Sequence, residues 1–297
     1  MLKTAGVTRN KIQQGIAAEL VLVNAHPVKA NYKIRPGDHI LAYAFRSTIP
    51  TEIIPEPLPL RIVYEDDDIL VVHKEAGMVV HPGHGNSHGT LVNAVAYHLQ
   101  QQNLDSAELP RVGLVHRIDK DTSGLLVIGK SEKALNKLSA QFAAHTVERS
   151  YVALVWGDVK EERGTIDTMI ARHERNRKIF DAYPHDEEKG KTAITHYEVL
   201  EHLYYVTLLR CRLETGRTHQ IRVHMKHIGH PLFADAAYGG DRILKGTLHS
   251  KYKSFVENCF QCMPRQALHA RTLGFVNPGS GEWISFESDL PEDFSAV

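Results

Sequence analysis

Beyond residue 60, apolar residues recur in short runs or at helical spacing between polar turns. Short runs bounded by turn residues are typical of strands, and they predict strands over 62–64, 69–73, 149–157, 191–197 and 204–213. Apolar residues at helical spacing predict helices over 90–100, from Ser131 to Phe142 and from Thr218 to about 228. This part of the chain is therefore predicted to form a large domain that contains both strands and helices.

The most unusual stretch is His116–Gly124, a polar loop between two apolar runs that are predicted to be strands, 113–115 and 125–128. Thr122, Ser123 and Gly124 favour a tight turn, because hydroxyl groups bond to local backbone and glycine accepts a positive φ. Such a turn would hold Asp119 still, as a catalytic carboxylate requires. Taken alone, a single aspartate in a loop is more often a solvated turn residue.

A second dense motif, Leu213–His224, combines Gly216, two arginines and two histidines at the predicted start of a helix. Thr218 can cap this helix, which puts Arg217 before the cap and Arg222 about one turn inside, so the two can serve different partners. His219 and His224 are five residues apart rather than four, which argues against a shared metal ion. Cys259 and Cys262 have no partner pair, whereas structural zinc needs four ligands.

The charges balance over the whole chain, with 35 basic and 35 acidic residues, so any contact with nucleic acid must be local. Residues 1–54 carry seven basic and three acidic side chains, an asymmetry that suits phosphate binding but suits a solvated basic face equally well. Three cysteines without framework spacing, no membrane-length apolar run and no signal-peptide pattern predict a cytoplasmic protein without a membrane partner.

Prolines at 50, 55, 57 and 59 disfavour helix and central strand. They predict three parts: a small basic module over 1–46, a semi-stiff linker over 47–59 and the large domain over 60–297. The module resembles the S-four-type RNA-binding domain in 8–11, 21–24 and 35–38, although Glu19 stands where that family usually has glycine. The resemblance implies a small α/β RNA-binding fold.

His116–Gly124 resembles the signature of the RluA-type pseudouridine synthases, His-Arg-Leu-Asp-x-x-Thr-Ser-Gly, with Ile118 in place of leucine. Gly216–His224 is similar to that family's Gly-Arg-Thr-His-Gln-x-Arg-x-His string. Further matches, which extend the resemblance over about 60–290, are 74–83, 235–239 and 266–270, with Glu75 in place of a proline. The resemblance implies an α+β fold, with a mixed, mainly antiparallel sheet flanked by helices and loops and an RNA cleft across it.

The resemblance also implies an isomerase that converts uridine to pseudouridine in structured RNA. Asp119 would be the catalytic carboxylate, Arg222 its charged partner, and Tyr151 would pack on the base and help remove its proton. Arg117 would fill the gap left by a flipped uridine. The expected RNA backbone contacts are Arg217, Lys74, and Arg9 and Lys11 of the basic module. The reaction exchanges no electrons and imports no group, so we expect no metal or other cofactor.

Two other functions fit parts of the pattern. A glycoside hydrolase uses two carboxylates, and Asp121 lies near Asp119, but Lys120, Thr122 and the match to the synthase string oppose this interpretation. A non-catalytic RNA-binding or ribosome-assembly protein with a relict synthase domain would not need Asp119, Tyr151 and Arg222 intact. By analogy with the family, we expect a target in ribosomal RNA of the large subunit rather than in transfer RNA. We also expect a monomer.

Overall fold

A computed structural model describes residues 16, 19–42, 53–83, 86–104, 109–187, 189–247 and 249–297. The chain divides into two compact units, 1–52 and 53–297. Residues 53–59, the second half of the predicted linker, lack regular structure but belong to the larger unit and bond to the rest of it. The Glu56 amide donates to the Asn93 carbonyl at 3.0 Å, and the Asn93 side chain donates to the Ile54 carbonyl at 2.8 Å.

The described part of the smaller unit is a three-stranded antiparallel sheet. Its strands are β1 (Val21–Val23), β2 (His26–Pro27) and β3 (Ile40–Ala42), in the order β2-β1-β3. The turn before β3 is held by Asp38, whose carboxylate accepts bonds from the Arg35 amide at 2.8 Å and the Asn24 side chain at 2.9 Å. Arg9 and Lys11 lie outside the described residues.

In its described residues, the larger unit contains a ten-stranded sheet. The strands are β4 (Arg61–Glu65), β5 (Ile69–Lys74), β6 (Ser123–Gly129), β7 (Glu148–Trp156), β8 (Arg163–Arg172), β9 (Phe180–Tyr183), β10 (Lys191–Leu203), β11 (Val206–Leu213), β12 (Leu268–Val276) and β13 (Trp283–Glu287). Their order is β4-β5-β6-β12-β7-β11-β10-β8-β9, with β13 paired to β12. Strands β6 and β12 are parallel, and the other pairings recorded are antiparallel, so the predicted mixed, mainly antiparallel sheet is confirmed.

The helices are α1 (Leu91–Gln101), α2 (Glu132–Ala143), α3 (Gln220–His227), α4 (Ser250–Cys262) and α5 (Glu292–Ser295), with short 3-10 turns at Pro110–Gly113 and His185–Glu187. The predicted cap of α2 is confirmed, because the Ser131 hydroxyl accepts a bond from the Ala134 amide at 3.1 Å. Two local predictions were wrong. The cap of α3 is His219 rather than Thr218, and Leu114 forms only an isolated bridge with Ile128 where a strand was predicted.

The sheet is buried on both faces at its centre, which explains why β5 and β6 are almost continuously apolar. On one face, Leu70 and Val72 pack in the same core as Val95 of α1. On the other face, Ile69 and Val71 pack with Leu138 of α2. The first core also contains Ile118, Tyr151, Ile221, Met225 and Leu268. Packing in this core therefore brings the Asp119 loop, β7 and α3 together.

None of the helices in the described ranges is both long enough and apolar enough to span a membrane.

Candidate active site

The loop that carries Asp119 is fixed by a backbone bond and by the strand that follows it. The Thr122 amide donates to the Asp119 carbonyl at 3.1 Å, which closes a turn over residues 119–122, earlier than the turn predicted at 122–124, where β6 begins. Gly124, the second residue of β6, has a φ of +118°, and a Cβ there would lie 2.2 Å from the Ala270 carbonyl oxygen of β12. Only glycine permits this close approach of two backbones. Gly124 therefore allows β6 to pair with β12 at this point of the sheet.

Lys74 stabilises the same loop from inside the protein and does not face solvent. Its side chain is buried, and its Nζ donates to the carbonyls of Glu75, Met78 and Lys120 at 2.7, 2.9 and 2.8 Å. Burial lowers the pKa of Lys74 to about 7, while the three carbonyls match the three protons of the ammonium form. The expected contact of Lys74 with RNA backbone is therefore corrected, because all three N–H donors of its ammonium group bond to carbonyls inside the fold.

Asp119 and Arg222 are in direct contact, as expected from the sequence. The Arg222 Nη1 donates to Asp119 Oδ2 at 3.1 Å, and the Asp119 side chain keeps 19% of its surface exposed. Asp235 holds the rest of the guanidinium through bonds from Nε at 2.7 Å and Nη2 at 2.8 Å. Burial opposes the charge on Arg222, but the bonds to Asp235 and the charges of Asp235 and Asp119 outweigh it and raise the pKa of Arg222. The guanidinium is thus a fixed cation that presents one edge to Asp119.

Tyr151 lies on β7 and lines the cavity of about 550 Å³ that also contains Asp119 and Arg222. A second cavity, of about 560 Å³, adjoins it and shares Arg117, Asp119 and Arg222 in its lining. Burial raises the pKa of Tyr151, so its hydroxyl group retains its proton at neutral pH. Openings of this size are large enough for a nucleotide-sized ligand.

The first cavity is strongly basic although the chain as a whole is neutral. Asp119 is the one carboxylate in its described lining, against five arginines: Arg111, Arg117, Arg149, Arg217 and Arg222. Arg117 is exposed and borders both cavities. Arg217 is half-buried, and its Nε donates to the Thr192 carbonyl at 2.8 Å, which orients the guanidinium at the cavity wall. The local concentration of positive charge that RNA binding requires is therefore found at Asp119.

Sequence reasoning missed the structural roles of three residues at this site. Asp235 and Tyr238 were noted only as parts of a matching string, and His219 as part of another string and as a rejected metal ligand. Asp235 clamps Arg222, and the Tyr238 hydroxyl lies 2.9 Å from His219 Nδ1. The matching string that contains Asp235 and Tyr238 marked both residues in the sequence. It did not show that Asp235 bonds to Arg222 or that Tyr238 bonds to His219.

Within the ranges that the structure describes, no three His, Cys, Asp or Glu side chains are grouped so that they could hold a metal ion. Cys211 is buried in β11, whereas Cys259 and Cys262 lie on α4.

Comparison with known proteins agrees with this architecture. Residues 68–227 match the RNA pseudouridylate synthase family model, and residues 3–40 match the S4 domain. The larger unit thus has the fold of an RNA-modifying isomerase. The chain belongs to the RNA pseudouridine synthase family, which sets the glycoside hydrolase interpretation aside.

Relatives support the assignment over nearly the whole chain. An uncharacterised RNA pseudouridine synthase of Chlorobaculum parvum is 50% identical over 98% of this chain and 89% of its own length. The ribosomal large subunit pseudouridine synthase D of Nitrosomonas europaea is 40% identical over 98% of this chain and 79% of its own length. Among solved structures, human RNA pseudouridylate synthase domain containing 1 has a TM-score of 0.57 at 26% identity and covers 78% of this chain and 84% of its own.

Proposed function

We propose that this protein isomerises specific uridines to pseudouridine in large-subunit ribosomal RNA, with Asp119 as the catalytic carboxylate. The observation that carries the proposal is the contact of Asp119 with Arg222 inside a cavity lined by arginines. The choice of ribosomal RNA is supported by relatives named as ribosomal large subunit pseudouridine synthases, of which one is 47% identical over 82% of this chain and 72% of its own length.

The chemistry needs an ionised carboxylate beside the sugar. The bond between uracil N1 and ribose C1′ breaks, and its electron pair leaves with the base as a uracil anion. One Asp119 oxygen either bonds to C1′ or takes a proton from C2′. Arg222 holds that carboxylate in place through the hydrogen bond from its Nη1 at 3.1 Å and supplies a positive charge beside it.

The base then turns, and its C5 forms the new bond to C1′ as the Asp119 oxygen leaves C1′ or, in the other route, as Asp119 returns the proton to C2′. The proton on C5 is lost, and N1 gains one, so the atoms of product and substrate are the same and no oxidant is needed. Tyr151 is buried in the wall of the cavity and packs against the base in this proposal. Since burial raises the pKa of Tyr151, it can take the C5 proton only after its own proton moves to another acceptor.

The target uridine must leave its stack before it can reach Asp119. Base flipping costs a few kcal/mol, which filling the vacated space helps to offset. Arg117 is exposed where the two cavities meet, so its side chain is available to enter the RNA. Arg217 and its neighbouring arginines bind the backbone in this proposal, and binding should therefore weaken as salt rises.

The proposal is tested with the purified full chain and transcribed large-subunit RNA that carries tritium at uracil C5. We expect tritium release from wild type and none from Asp119→Asn, with RNA affinity unchanged. Asp121→Asn makes the same chemical change two residues away and should keep the wild-type rate. Turnover by Asp119→Asn would overturn the catalytic assignment, and loss with Asp121→Asn would favour a scheme with two carboxylates.

The RNA target is tested separately by mapping pseudouridine in total RNA from cells with and without the gene. We expect sites to disappear from large-subunit ribosomal RNA. Sites that disappear only from transfer RNA would refute the choice of target while leaving the chemistry intact. A non-catalytic RNA-binding protein would bind RNA but change no site in either pool.

A further inference from the structure

His219 lies beside Asp119, yet the mechanism above gives it no task. It caps α3 in the left-handed conformation, with a φ of 58°, and this turn directs its ring towards the cleft. The ring lines both cavities, and its Nε2 lies 3.9 Å from Asp119 Oδ2. This distance exceeds that of a hydrogen bond, so Nε2 lies next to the carboxylate but makes no hydrogen bond to it.

Tyr238 determines which ring nitrogen of His219 carries the proton. The Tyr238 hydroxyl lies 2.9 Å from His219 Nδ1 and accepts a bond from the Phe180 amide at 3.1 Å. Tyr238 is buried, and burial raises its pKa, so the hydroxyl retains its single proton. Among the described residues, His219 Nδ1 is the acceptor within reach of the Tyr238 hydroxyl proton, so we assign the hydroxyl as the donor to Nδ1, which leaves the ring proton on Nε2.

The His219 ring is also neutral and held in a fixed orientation. Burial lowers the pKa of His219, and Arg222 acts in the same direction, whereas Asp119 acts against both. The rings of Phe180 and Tyr238 contact it edge-on, with centroid distances of 5.6 and 5.8 Å. His219 therefore presents an uncharged N–H donor to the space in front of Asp119.

We propose that His219 Nε2 donates a hydrogen bond to O2 of the target uracil and stabilises the negative charge that the base acquires as the N1–C1′ bond breaks. This inference rests on the proposed function. The O2 carbonyl is attached to the carbon next to N1, so it is the base oxygen closest to C1′, which Asp119 must approach. A donor held in place before the reaction needs no reorganisation as charge develops, and such donors contribute strongly to catalysis.

Two substitutions at position 219 separate the donor from the fold. His219→Gln keeps an N–H near the position of Nε2. His219→Asn keeps a polar group for Tyr238 but removes the distal donor, and asparagine tolerates both the left-handed conformation and the cap position. At saturating enzyme, we expect the single-turnover rate of His219→Asn to fall about 10²-fold, with RNA affinity unchanged, and His219→Gln to retain most of the rate.

The acceptor is tested with RNA that carries 2-thiouridine at the target, because sulfur is a weaker acceptor than oxygen. We expect the thio substitution to slow wild type but to add no further loss in His219→Asn. If the ribose 2′-hydroxyl were the acceptor, 2′-deoxyuridine rather than 2-thiouridine would show this pattern, and the proposal would be wrong.

Tyr238 is a positioning residue in this scheme, because it acts through His219. Tyr238→Phe frees the ring to carry its proton on either nitrogen, so we expect a smaller loss of single-turnover rate. In the His219→Asn background, the same change should add nothing, since the group it positions is already gone. Additive losses would indicate a purely structural role for Tyr238.

Wild-type turnover and Asp119→Asn separate this inference from the proposed function. If wild type forms pseudouridine, Asp119→Asn does not and His219→Asn matches wild type, only the role of His219 is refuted. If His219→Gln and His219→Asn are equally slow, the ring acts by packing and the donor proposal is wrong. If wild type forms no pseudouridine, the proposed function and this inference are both refuted.

Discussion

The ion pair between Arg222 and Asp235 gives the sharpest test of how the site is held together. Asp235→Asn keeps the size of the side chain but removes its charge. The Asp235 side chain is fully buried and that of Arg222 is 8% exposed, so water screens neither charge. After the substitution, Asp119 is the remaining carboxylate in contact with Arg222 among the described residues.

The expected loss of stability follows from this burial. Removing one partner of a buried ion pair costs about 3–5 kcal/mol, because the other charge stays buried. The contact with Asp119 and the Tyr238 ring, 5.0 Å from the guanidinium, remain and place the loss at the lower end, about 3 kcal/mol. This is a large part of the 5–15 kcal/mol by which domains are typically stable.

The chain provides a matched control in Arg265 and Asp293. Their bonds have the same geometry, with Nε to Oδ2 at 2.6 Å and Nη2 to Oδ1 at 2.8 Å, but the Asp293 side chain is 30% exposed. Solvent screening should therefore limit the cost of Asp293→Asn to about 1 kcal/mol. The comparison varies burial while it keeps the chemical change and the two bonds to arginine constant, although Asp235 also accepts a bond from the Ala237 amide at 3.1 Å.

The assay is urea unfolding of the full chain followed by tryptophan fluorescence. Both tryptophans, Trp156 and Trp283, belong to the larger unit, so the signal reports on the unit that contains the ion pair. If Asp235→Asn costs no more free energy of unfolding than Asp293→Asn, burial is not what makes the Arg222 pair strong. The Arg222–Asp235 ion pair would then contribute little to the stability of the site.

Two further predictions concern buried cations and bases. Lys74→Met should lower the free energy of unfolding by about 2–4 kcal/mol, because three carbonyls lose a charged donor. The same substitution should leave the salt dependence of RNA binding unchanged. If the slope of log affinity against log salt concentration fell by about one, Lys74 would contact a phosphate after all. Burial lowers the pKa of His224 to about 4 from 6.5, so between these values the unfolded chain binds a proton that the folded chain does not, and stability falls as pH falls. His224→Gln should remove about 1.6 kcal/mol of that loss between pH 6.5 and 5, measured by unfolding at the two pH values, and an unchanged pH dependence would show that His224 is not the group responsible.

Local patterns along the sequence determined much of this protein. The apolar runs of β5 and β6, the spacing of α1 and α2 and the Ser131 cap depend on neighbours a few residues away, so they were predictable. The strings around Asp119 and Arg222 indicated the chemistry, because the types and order of their residues are unusual. Their direct contact followed from the family resemblance and was found in the structure.

Only the tertiary structure decided which distant groups meet. Strand β12 lies between β6 and β7, which precede it by more than a hundred residues, and no local pattern predicts that insertion. Lys74 would be solvated in isolation, and it is buried because a carbonyl 46 residues away, at Lys120, completes its set of acceptors. The proton on His219 depends in the same way on Tyr238 and on the Phe180 amide. The physical reason is that burying a polar group costs free energy unless its hydrogen-bond partners are in place. Tertiary packing brings those partners together from distant parts of the sequence.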